Sequence, residues 1–583
     1  MSSNLLIPLI IGVPWLGALI ILLDKDRHEK LQHSLAVIIS LAAAAAAVLL
    51  IPQTSKEVAF SVKMGSAFGN FSFVADGLGV FLTLIATIIG SLAVIFSVNY
   101  MHGEEGLGRY YAYVLFFIGA MSGLVLTSNM LLIFFFWEIT ALCSYGLISF
   151  HNDDPKAVRG GIKALIITSV GGVGLLAGAL LLFVYTQSYD LNVFLSNPSV
   201  LPAKMLAFLG FMFLVAAAAK SAQFPFQTWL PDAMEAPSPI SALIHAATMV
   251  NAGVYLLARF FPAFAGIPYW KEAVMAVGVL SAFLAAIMAL FSNDLKRVLA
   301  YSTVSQLGYM FYAIGTGDVF SSQFHLFSHS IFKALLFLGA GAVIHCVGTR
   351  DMTKMGGVGK KMPYVQWMFI IGALALAGIP VLNGFWSKEL ILEAGAATDV
   401  KVLYWIMVFV AGLTALYTCR MVWMVFFGEP RSDYHAHRAG AAMKIALAPL
   451  AAGALVSWLS IDWFSKLLNS GSLPFHTLKA LDLTEMFHEV FTLQTLIPLA
   501  VIAVGILCWF FRAKLAGITK LFGWLRYLAD HSFGFEGINT GIVKATQNCA
   551  EGLRVTQTGI LGLNILAVLC TIIILFSLFA IGV

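Results

Sequence analysis

The chain has 583 residues, of which 60% are apolar and only 11% are charged. A typical soluble domain carries about 25% charged residues, so this composition excludes a soluble enzyme, a disordered chain and a nucleic-acid-binding protein as the main function. The apolar residues, about 350 of them, are enough for roughly 16 membrane spans of about 20 residues each. The net charge of +5 is small for this length, and we interpret it as loop charge.

Apolar stretches of helical length recur along the whole chain. We therefore predict an all-α integral membrane protein with about 16 transmembrane helices. The stretches lie near residues 4–23, 33–52, 78–98, 111–128, 130–150, 162–186, 204–224, 239–260, 272–291, 295–314, 322–348, 365–386, 402–428, 443–463, 493–511 and 557–581.

Loop charges predict the orientation. Lys and Arg concentrate in the connections after odd-numbered spans, and such loops face the cytoplasm. With 16 spans, both termini then lie on the non-cytoplasmic side. The sequence predicts a multi-pass protein of the prokaryotic cytoplasmic membrane, with the lipid bilayer as a partner and no nucleic acid.

No dinucleotide-binding fingerprint, phosphate-binding loop or sizeable polar domain occurs in the sequence. The six cysteines are scattered without a CxxC pair, which argues against a metal or disulfide role. We expect no cofactor in this chain. Whether the chain counts as an enzyme stays open, since any redox chemistry would belong to other subunits.

Five charged residues fall within or at the ends of apolar stretches: Glu138, Lys220, Lys296, Lys333 and Lys388. A charge near the bilayer centre costs at least about 2.5–3.5 kcal/mol on insertion scales, so such residues usually have a function. Burial in apolar surroundings favours a neutral lysine, whereas a nearby carboxylate favours the charged form. A carboxylate such as Glu138 beside Lys220 would therefore control proton uptake and release.

Three protonatable residues, His325, His329 and Lys333, are spaced four apart, which places them on one face of a helix. His245 lies in another apolar stretch. Simpler interpretations stay open: Lys296 and Lys388 could reach the interface from the ends of their spans, and His245 could be a packed polar residue. Glu138 and Lys333 could belong to purely structural buried pairs.

Helix-breaking residues accompany these charges. Pro225 follows Lys220, Pro237 and Pro239 precede His245, and Pro380, Asn383 and Gly384 precede Lys388. Broken helices at membrane depth are tolerated where they line a polar cavity. Two interruptions, each beside a lysine, favour two related halves around two ion sites.

These features divide the chain into four predicted regions: helices 1–3 in 1–110, a first repeat of helices 4–8 in 111–260, a second repeat of helices 9–13 in 261–430, and helices 14–16 in 431–583. The segment 512–556 mixes apolar and basic residues with roughly helical spacing. It is either an amphipathic lateral helix on the membrane surface or an ordinary basic loop.

Six stretches resemble the large antiporter-like membrane subunits of respiratory complex I and of Mrp antiporters, the NuoL and MrpA type. They are FVADGLGVFL (73–82), FFFWEITALCSYGLISF (134–150), KSAQFPFQTWLPDAMEAPSPISALIHAATMVNAGVYLLAR (220–259), NDLKRVLAYSTVSQLGYM (293–310), HLFSHSIFKALLFLGAGAVIH (325–345) and GIPVLNGFWSKE (378–389).

The resemblance implies 14 core helices with two inverted five-helix repeats, each containing a broken helix, and ion translocation along a hydrated axis at mid-membrane. By position it implies an essential glutamate at Glu138, its paired lysine at Lys220 and a lysine on the exit side at Lys388. It also implies central roles for Lys296 and Lys333 with the three histidines, and an acidic residue near the third span at Asp76.

The sequence departs from the NuoL type at Ser169 and Gly172, where that type carries an Arg and an Asp. The leading hypothesis is a proton- or Na⁺-translocating subunit of a redox-driven pump resembling complex I or a group 4 hydrogenase. Its partners would be related membrane subunits and soluble subunits with iron–sulfur, flavin or nickel–iron centres. The alternatives are an Mrp-type Na⁺/H⁺ antiporter without redox chemistry and the membrane partner of an inorganic-carbon uptake complex.

Overall fold

A computed structural model describes residues 5–56, 59–65, 69–432, 439–470, 476, 478–515 and 522–554. It divides into two units, Met1–Arg526 and Tyr527–Val583. The first unit is built from helices that cover most of the predicted apolar stretches. The last predicted span, 557–581, lies outside the described residues.

Twelve helical segments in the described part are long and apolar enough to cross a membrane, and the chain is a multi-pass membrane protein. Two of these segments, Ser238–Phe264 and Ala441–Leu468, each continue through a turn between two of the helices named below. The α-helices of the first half are α1 (Leu6–Leu23), α2 (Glu29–Leu50), α3 (Gly77–Tyr100), α4 (Leu107–Leu126), α5 (Met130–Ile148), α6 (Pro155–Thr186), α7 (Leu191–Ser196), α8 (Ala203–Lys220), α9 (Trp229–Asp232), α10 (Ser238–Ala242) and α11 (Met249–Phe264).

The second half continues the same pattern. Its α-helices are α12 (Trp270–Phe291), α13 (Leu295–Thr316), α14 (Val319–Val347), α15 (Val358–Lys361), α16 (Pro363–Ala377), α17 (Asn383–Ala396), α18 (Lys401–Phe426), α19 (Ala441–Val456), α20 (Ile461–Leu468), α21 (Leu483–Val490) and α22 (Leu496–Phe510).

The helical class agrees with the sequence prediction, and one element differs from it. The connection after α2 contains an antiparallel hairpin of β1 (Ala59–Lys63) and β2 (Asn70–Val74), paired from Ala59 with Val74 to Lys63 with Asn70. A search for runs of helical length does not detect strands of five residues. The number of 16 spans stays a prediction, since α13 is too polar and α16 and α22 are too short to count among the twelve.

Two of the membrane helices are interrupted where the sequence places its helix breakers. After α8 ends at Lys220, the chain runs through the short α9 and α10 and a π-turn at Leu243–Ala247 before α11. The second interruption separates α16 from α17, and Gly378 ends α16 in the left-handed conformation, with φ +81°. Both interruptions leave backbone groups without an intrahelical partner.

A buried ion pair ties α3 to α11. Asp76 caps α3 by accepting a hydrogen bond from the Gly79 amide (2.6 Å), and Arg259 Nη2 donates to Asp76 Oδ1 at 2.9 Å. The two side chains are 7% and 5% exposed. Arg259 Nε also donates to Tyr255 Oη at 3.2 Å. The predicted supporting residue Asp76 is therefore part of the packing around α3.

The second unit is described through Arg554. It contains the end of the helix Gly523–Asp530, a 3-10 turn at Ser532–Gly534 and the helix Phe535–Arg554. Ile538, Ile542 and Leu553 are exposed. The lateral segment predicted near 512–556 stays a prediction, and residues 516–521 lie outside the described part.

Replacing Arg259 by Met should lower the melting temperature of the purified chain strongly, because the Asp76 carboxylate would stay buried without its cation. Breaking a buried pair costs about 3–5 kcal/mol. The control is Lys163→Met, which breaks a partly exposed pair with Asp232 (2.8 Å) and should cost about 0–1 kcal/mol. Equal losses in the two variants, measured by thermal unfolding in detergent, would contradict a special role for the Asp76–Arg259 pair.

Candidate functional site

Glu138 lies in the middle of α5 and faces α6. Its Oε2 accepts a hydrogen bond from Ser169 Oγ at 2.7 Å. A Cβ atom added to Gly172, almost one turn further along α6, would overlap Oε1 of Glu138. The two positions that depart from the NuoL type are thus the ones that contact the carboxylate, one as a donor and the other by leaving space.

Lys220 is the last residue of α8 and is fully buried. Its ammonium group donates to the carbonyl of Trp137 at 2.8 Å and lies 4.8 Å from the centre of the Trp137 ring, a cation–π distance. A helix C-terminus favours a cation. Lys220 and Glu138 are close enough to interact electrostatically, but the ammonium group is bonded to a backbone carbonyl instead of the carboxylate.

Side chains stabilise the non-helical segment after Lys220 by donating hydrogen bonds to backbone carbonyls. Gln223 Nε2 donates to the carbonyls of Ser221 (3.0 Å) and Val304 (3.1 Å), and Trp229 Nε1 donates to that of Ala219 (2.9 Å). Pro225 lies in this non-helical segment. Because Val304 belongs to α13, the first break contacts the helix that carries Lys296.

His245 lies in the π-turn that follows Pro237 and Pro239. Such turns are frequent at functional sites. The ring stacks on Phe337 with 4.4 Å between centroids, and neither ring nitrogen has a hydrogen-bond partner among the described residues.

Lys296 is 3% exposed, and its ammonium group donates to the carbonyl of Ala236 just before Pro237. The Lys296 ammonium group therefore lies inside the protein. Asp294 caps α13 through the amides of Lys296 (2.9 Å) and Arg297 (3.1 Å), which fixes the point at which the helix begins.

The row His325, His329 and Lys333 lies on α14, and all three side chains are fully buried. Lys333 Nζ donates to the carbonyl of Leu299 at 3.1 Å and to Ser302 Oγ. The rings of His325 and His329 are 6.4 Å apart, and the nitrogens of His329 have no hydrogen-bond partner in the described part.

His325 connects this row to the second helix break. One ring nitrogen lies 2.9 Å from Ser387 Oγ on α17, and the other lies 3.1 Å from Gln306 Oε1 on α13. Ser387 is adjacent to Lys388, which is 1% exposed and donates to the carbonyl of Leu376 at 2.9 Å. Lys388 therefore lies inside the protein as well.

Asn383 is the first residue of α17 and stabilises the break between α16 and α17. Its amide nitrogen donates to the carbonyl of Ser328 (3.3 Å) and to Ser457 Oγ (3.0 Å). These contacts join α17 to α14 and to the turn after α19. The predicted supporting residue thus fixes the position of the helix that carries Lys388.

Sequence reasoning missed several residues of this site. Glu389 is a buried charged residue, and its charge beside an apolar stretch of the sequence was a signal that could have indicated it. Glu389 is 4% exposed and adjacent to Lys388. Ser302 and Gln306 gave no signal, because a polar residue inside a helix has no special spacing. Their partners become visible only when the helices are packed.

Comparison with known proteins places the chain in a family. The profile described as "NADH:quinone oxidoreductase/Mrp antiporter, TM" matches residues 127–414. The profile "NADH-Ubiquinone oxidoreductase (complex I), chain 5 N-terminus" matches residues 62–111. The two matches contain all eight residues predicted to translocate ions.

Several relatives are similar over much of the chain. The NAD(P)H-quinone oxidoreductase chain 5 of Synechocystis sp. is 43% identical over 385 residues, 63% of this chain and 56% of the relative. The chain of the same name from Picosynechococcus sp. is 40% identical over 449 residues, 72% of this chain and 67% of the relative. Na(+)/H(+) antiporter subunit A1 of Staphylococcus aureus is 39% identical over 391 residues, 62% of this chain and 49% of the relative.

A solved structure is also similar. A chain of the Mrp complex from Dietzia sp. DQ12-45-1b aligns with a TM-score of 0.82 and 28% identity, over all of this chain and 63% of that chain. This chain thus spans between about half and two thirds of the length of these proteins. Fold and site together define an antiporter-like membrane subunit. The chain belongs to the family of such subunits in NADH:quinone oxidoreductases and Mrp antiporters.

Replacing Gly172 by Ala should slow ion translocation by the reconstituted protein by about tenfold or more, because the new methyl group displaces the Glu138 carboxylate and small misplacements of reacting groups are costly. Glycine-to-alanine changes inside helices usually stabilise the helix, so a loss would come from the displaced carboxylate.

The control for this prediction is Gly12→Ala in α1, where a Cβ would contact nothing within 4 Å. Transport by that variant should match the wild type. Normal transport by Gly172→Ala, measured with a pH-sensitive dye in liposomes, would show that the position of the carboxylate is unimportant.

Proposed function

We propose that the chain is the ion-translocating membrane subunit of a redox-driven pump resembling complex I or a group 4 hydrogenase. It moves protons, or Na⁺, through a mid-membrane path of buried Glu, Lys and His. The observation that carries the proposal is the set of buried lysine and histidine side chains on α8, the π-turn, α13, α14 and α17.

The path is proposed to start at Glu138 and Lys220 and to continue through His245, Lys333, His329 and His325 to Lys388. Contacts support part of this path: the rings of His325 and His329 are 6.4 Å apart, and His325 contacts Ser387 Oγ, next to Lys388, at 2.9 Å. Lys296 lies outside this row, and its ammonium group donates to the carbonyl of Ala236.

Water is proposed to complete the path. Buried polar atoms are almost always hydrogen-bonded to protein or water, whereas both ring nitrogens of His245 and of His329 have no protein partner in the described residues. Water molecules between these rings and Lys333 would satisfy them. A proton could then move along the hydrogen-bonded row by small displacements.

Two related repeats, in 111–260 and 261–430, are proposed to form this path. Each contains an interrupted helix with a buried lysine close to the interruption, Lys220 at the end of α8 and Lys388 in the second turn of α17. Glu389 and Glu393 follow Lys388 on α17, and we propose that they carry the ion onward to the non-cytoplasmic face.

The orientation is proposed from loop charges, with both termini on the non-cytoplasmic side of a bacterial cytoplasmic membrane. The helix Phe535–Arg554 is proposed to lie along the membrane surface, because Ile538, Ile542 and Leu553 give it an exposed apolar face. The first region, 1–110, and the last, 431–583, flank the two repeats.

The partners are proposed to be related membrane subunits and soluble subunits that carry the redox centres. The names of the relatives support this, since they describe oxidoreductase chains and an antiporter subunit. In such an assembly the oxidation occurs in the partners, and this chain supplies charge movement alone.

An Mrp-type Na⁺/H⁺ antiporter is the second candidate. It is favoured by Ser169 and Gly172 at the positions that contact Glu138, since the NuoL type carries an Arg and an Asp there. The similarity to the Staphylococcus aureus antiporter subunit points the same way. Purification of the native assembly separates the candidates: iron–sulfur or flavin subunits that co-purify support the redox pump, and a complex without them supports the antiporter.

Replacing Lys333 by Met should abolish ion translocation while the complex still assembles, because a thioether cannot carry the proton between His245 and His329. The measurement is ion uptake into liposomes that contain the native complex, driven by its electron donor or by an imposed Na⁺ gradient. Assembly is checked by native gel electrophoresis.

The matched control is Lys401→Met. Lys401 is exposed at the start of α18 and lies outside the proposed path, so transport should be unchanged. Full transport by an assembled Lys333→Met complex would refute the assignment of Lys333. Loss in both variants would mean that removal of any lysine is harmful, and would refute it equally.

A further inference from the structure

A cluster of potential metal ligands lies far from the ion path, where α2 begins. Glu29 and His33 are four residues apart on the same face of α2. His102 approaches them from the turn that connects α3 to α4. Oε1 of Glu29 lies 2.7 Å from Nδ1 of His102 and 3.3 Å from Nε2 of His33. All three ligand atoms are within 4.8 Å of one another.

Two imidazoles and one carboxylate form a ligand set that zinc uses in sites with an open fourth position. Metal–ligand bonds of about 2.0–2.1 Å in a tetrahedron separate the ligand atoms by about 3.3 Å. The His33–Glu29 distance already has this value. The His102 ring is 73% exposed on its turn and can move by the remaining fraction of an ångström.

Two neighbouring groups, one of them buried, hold the cluster in an orientation suited to a metal. Nδ1 of His33 is 2.6 Å from the hydroxyl of Tyr111, which is fully buried, so Nε2 points towards Glu29. A metal-bound histidine usually donates its other N–H to a carboxylate, a backbone carbonyl or water, which fixes its tautomer, and the Tyr111 hydroxyl takes that place here. The amide of Gly103 donates to Glu29 Oε1 at 2.9 Å and positions the carboxylate.

We propose that Glu29, His33 and His102 bind a divalent transition metal ion of the zinc class, with water or a further ligand in the fourth position. The bound ion links the turn at residues 101–106, through His102, to the beginning of α2, through Glu29 and His33. This site is independent of the proposed ion path. The alternative is that the three side chains are joined by hydrogen bonds alone.

The test is a Co²⁺ titration of the full-length chain, purified without a polyhistidine tag and stripped of metal. We expect one equivalent of Co²⁺ to give visible absorption bands of tetrahedral coordination that Zn²⁺ abolishes. His102→Ala should weaken binding by about 100-fold or more and leave the metal-free melting temperature unchanged, because this side chain is exposed.

Two further variants separate a built site from adventitious binding. His28→Ala is the control, since His28 is also exposed but pairs with Asp24 at 2.8 Å, and binding should be unchanged. Tyr111→Phe removes only the buried hydroxyl and should weaken binding by about 10–100-fold. Absence of the bands, or equal affinities in the His102→Ala and His28→Ala variants, would overturn the proposal and leave the hydrogen-bonded cluster.

Discussion

Each of the four lysines in the interior is held by a backbone carbonyl of another segment. Lys220 bonds to Trp137, Lys296 to Ala236, Lys333 to Leu299 and Lys388 to Leu376. None of them forms a salt bridge with a carboxylate in the part of the chain that the structure describes. A hydrogen bond to a charged group contributes about 1.5–3 kcal/mol, which is comparable to the insertion cost of about 2.5–3.5 kcal/mol for a charge at mid-membrane. A lysine held in this way is tolerated in the interior without a carboxylate partner.

Helix breaks provide two of these carbonyls. Ala236 precedes Pro237, and Leu376 lies in the last turn of α16, where carbonyls have no intrahelical partner. The other two carbonyls, of Trp137 and Leu299, lie within intact helices. Each also accepts a hydrogen bond from a hydroxyl three residues later, from Thr140 at 2.7 Å and from Ser302 at 2.8 Å. The polar interior around these lysines is therefore assembled largely from backbone carbonyls, hydroxyls and imidazoles.

The sequence predicted the helices and the main site residues for identifiable reasons. Spacing by four predicted the row from His325 to Lys333, and Pro380 and Asn383 indicated the break between α16 and α17. The partners could not be predicted, because Lys220 and Trp137 are 83 residues apart and Asp76 and Arg259 are 183 apart. Only the packing of helices brings such pairs together. The hairpin β1–β2 was missed because its strands are short.

The central claim is that the interior row is a hydrated ion path. Electron cryomicroscopy of the assembled native complex, at a resolution that shows ordered water, tests it most directly. The account predicts water density that connects the ring nitrogens of His245 and His329 to the ammonium group of Lys333. Apolar packing around both rings, with no water between them and Lys333, would contradict it.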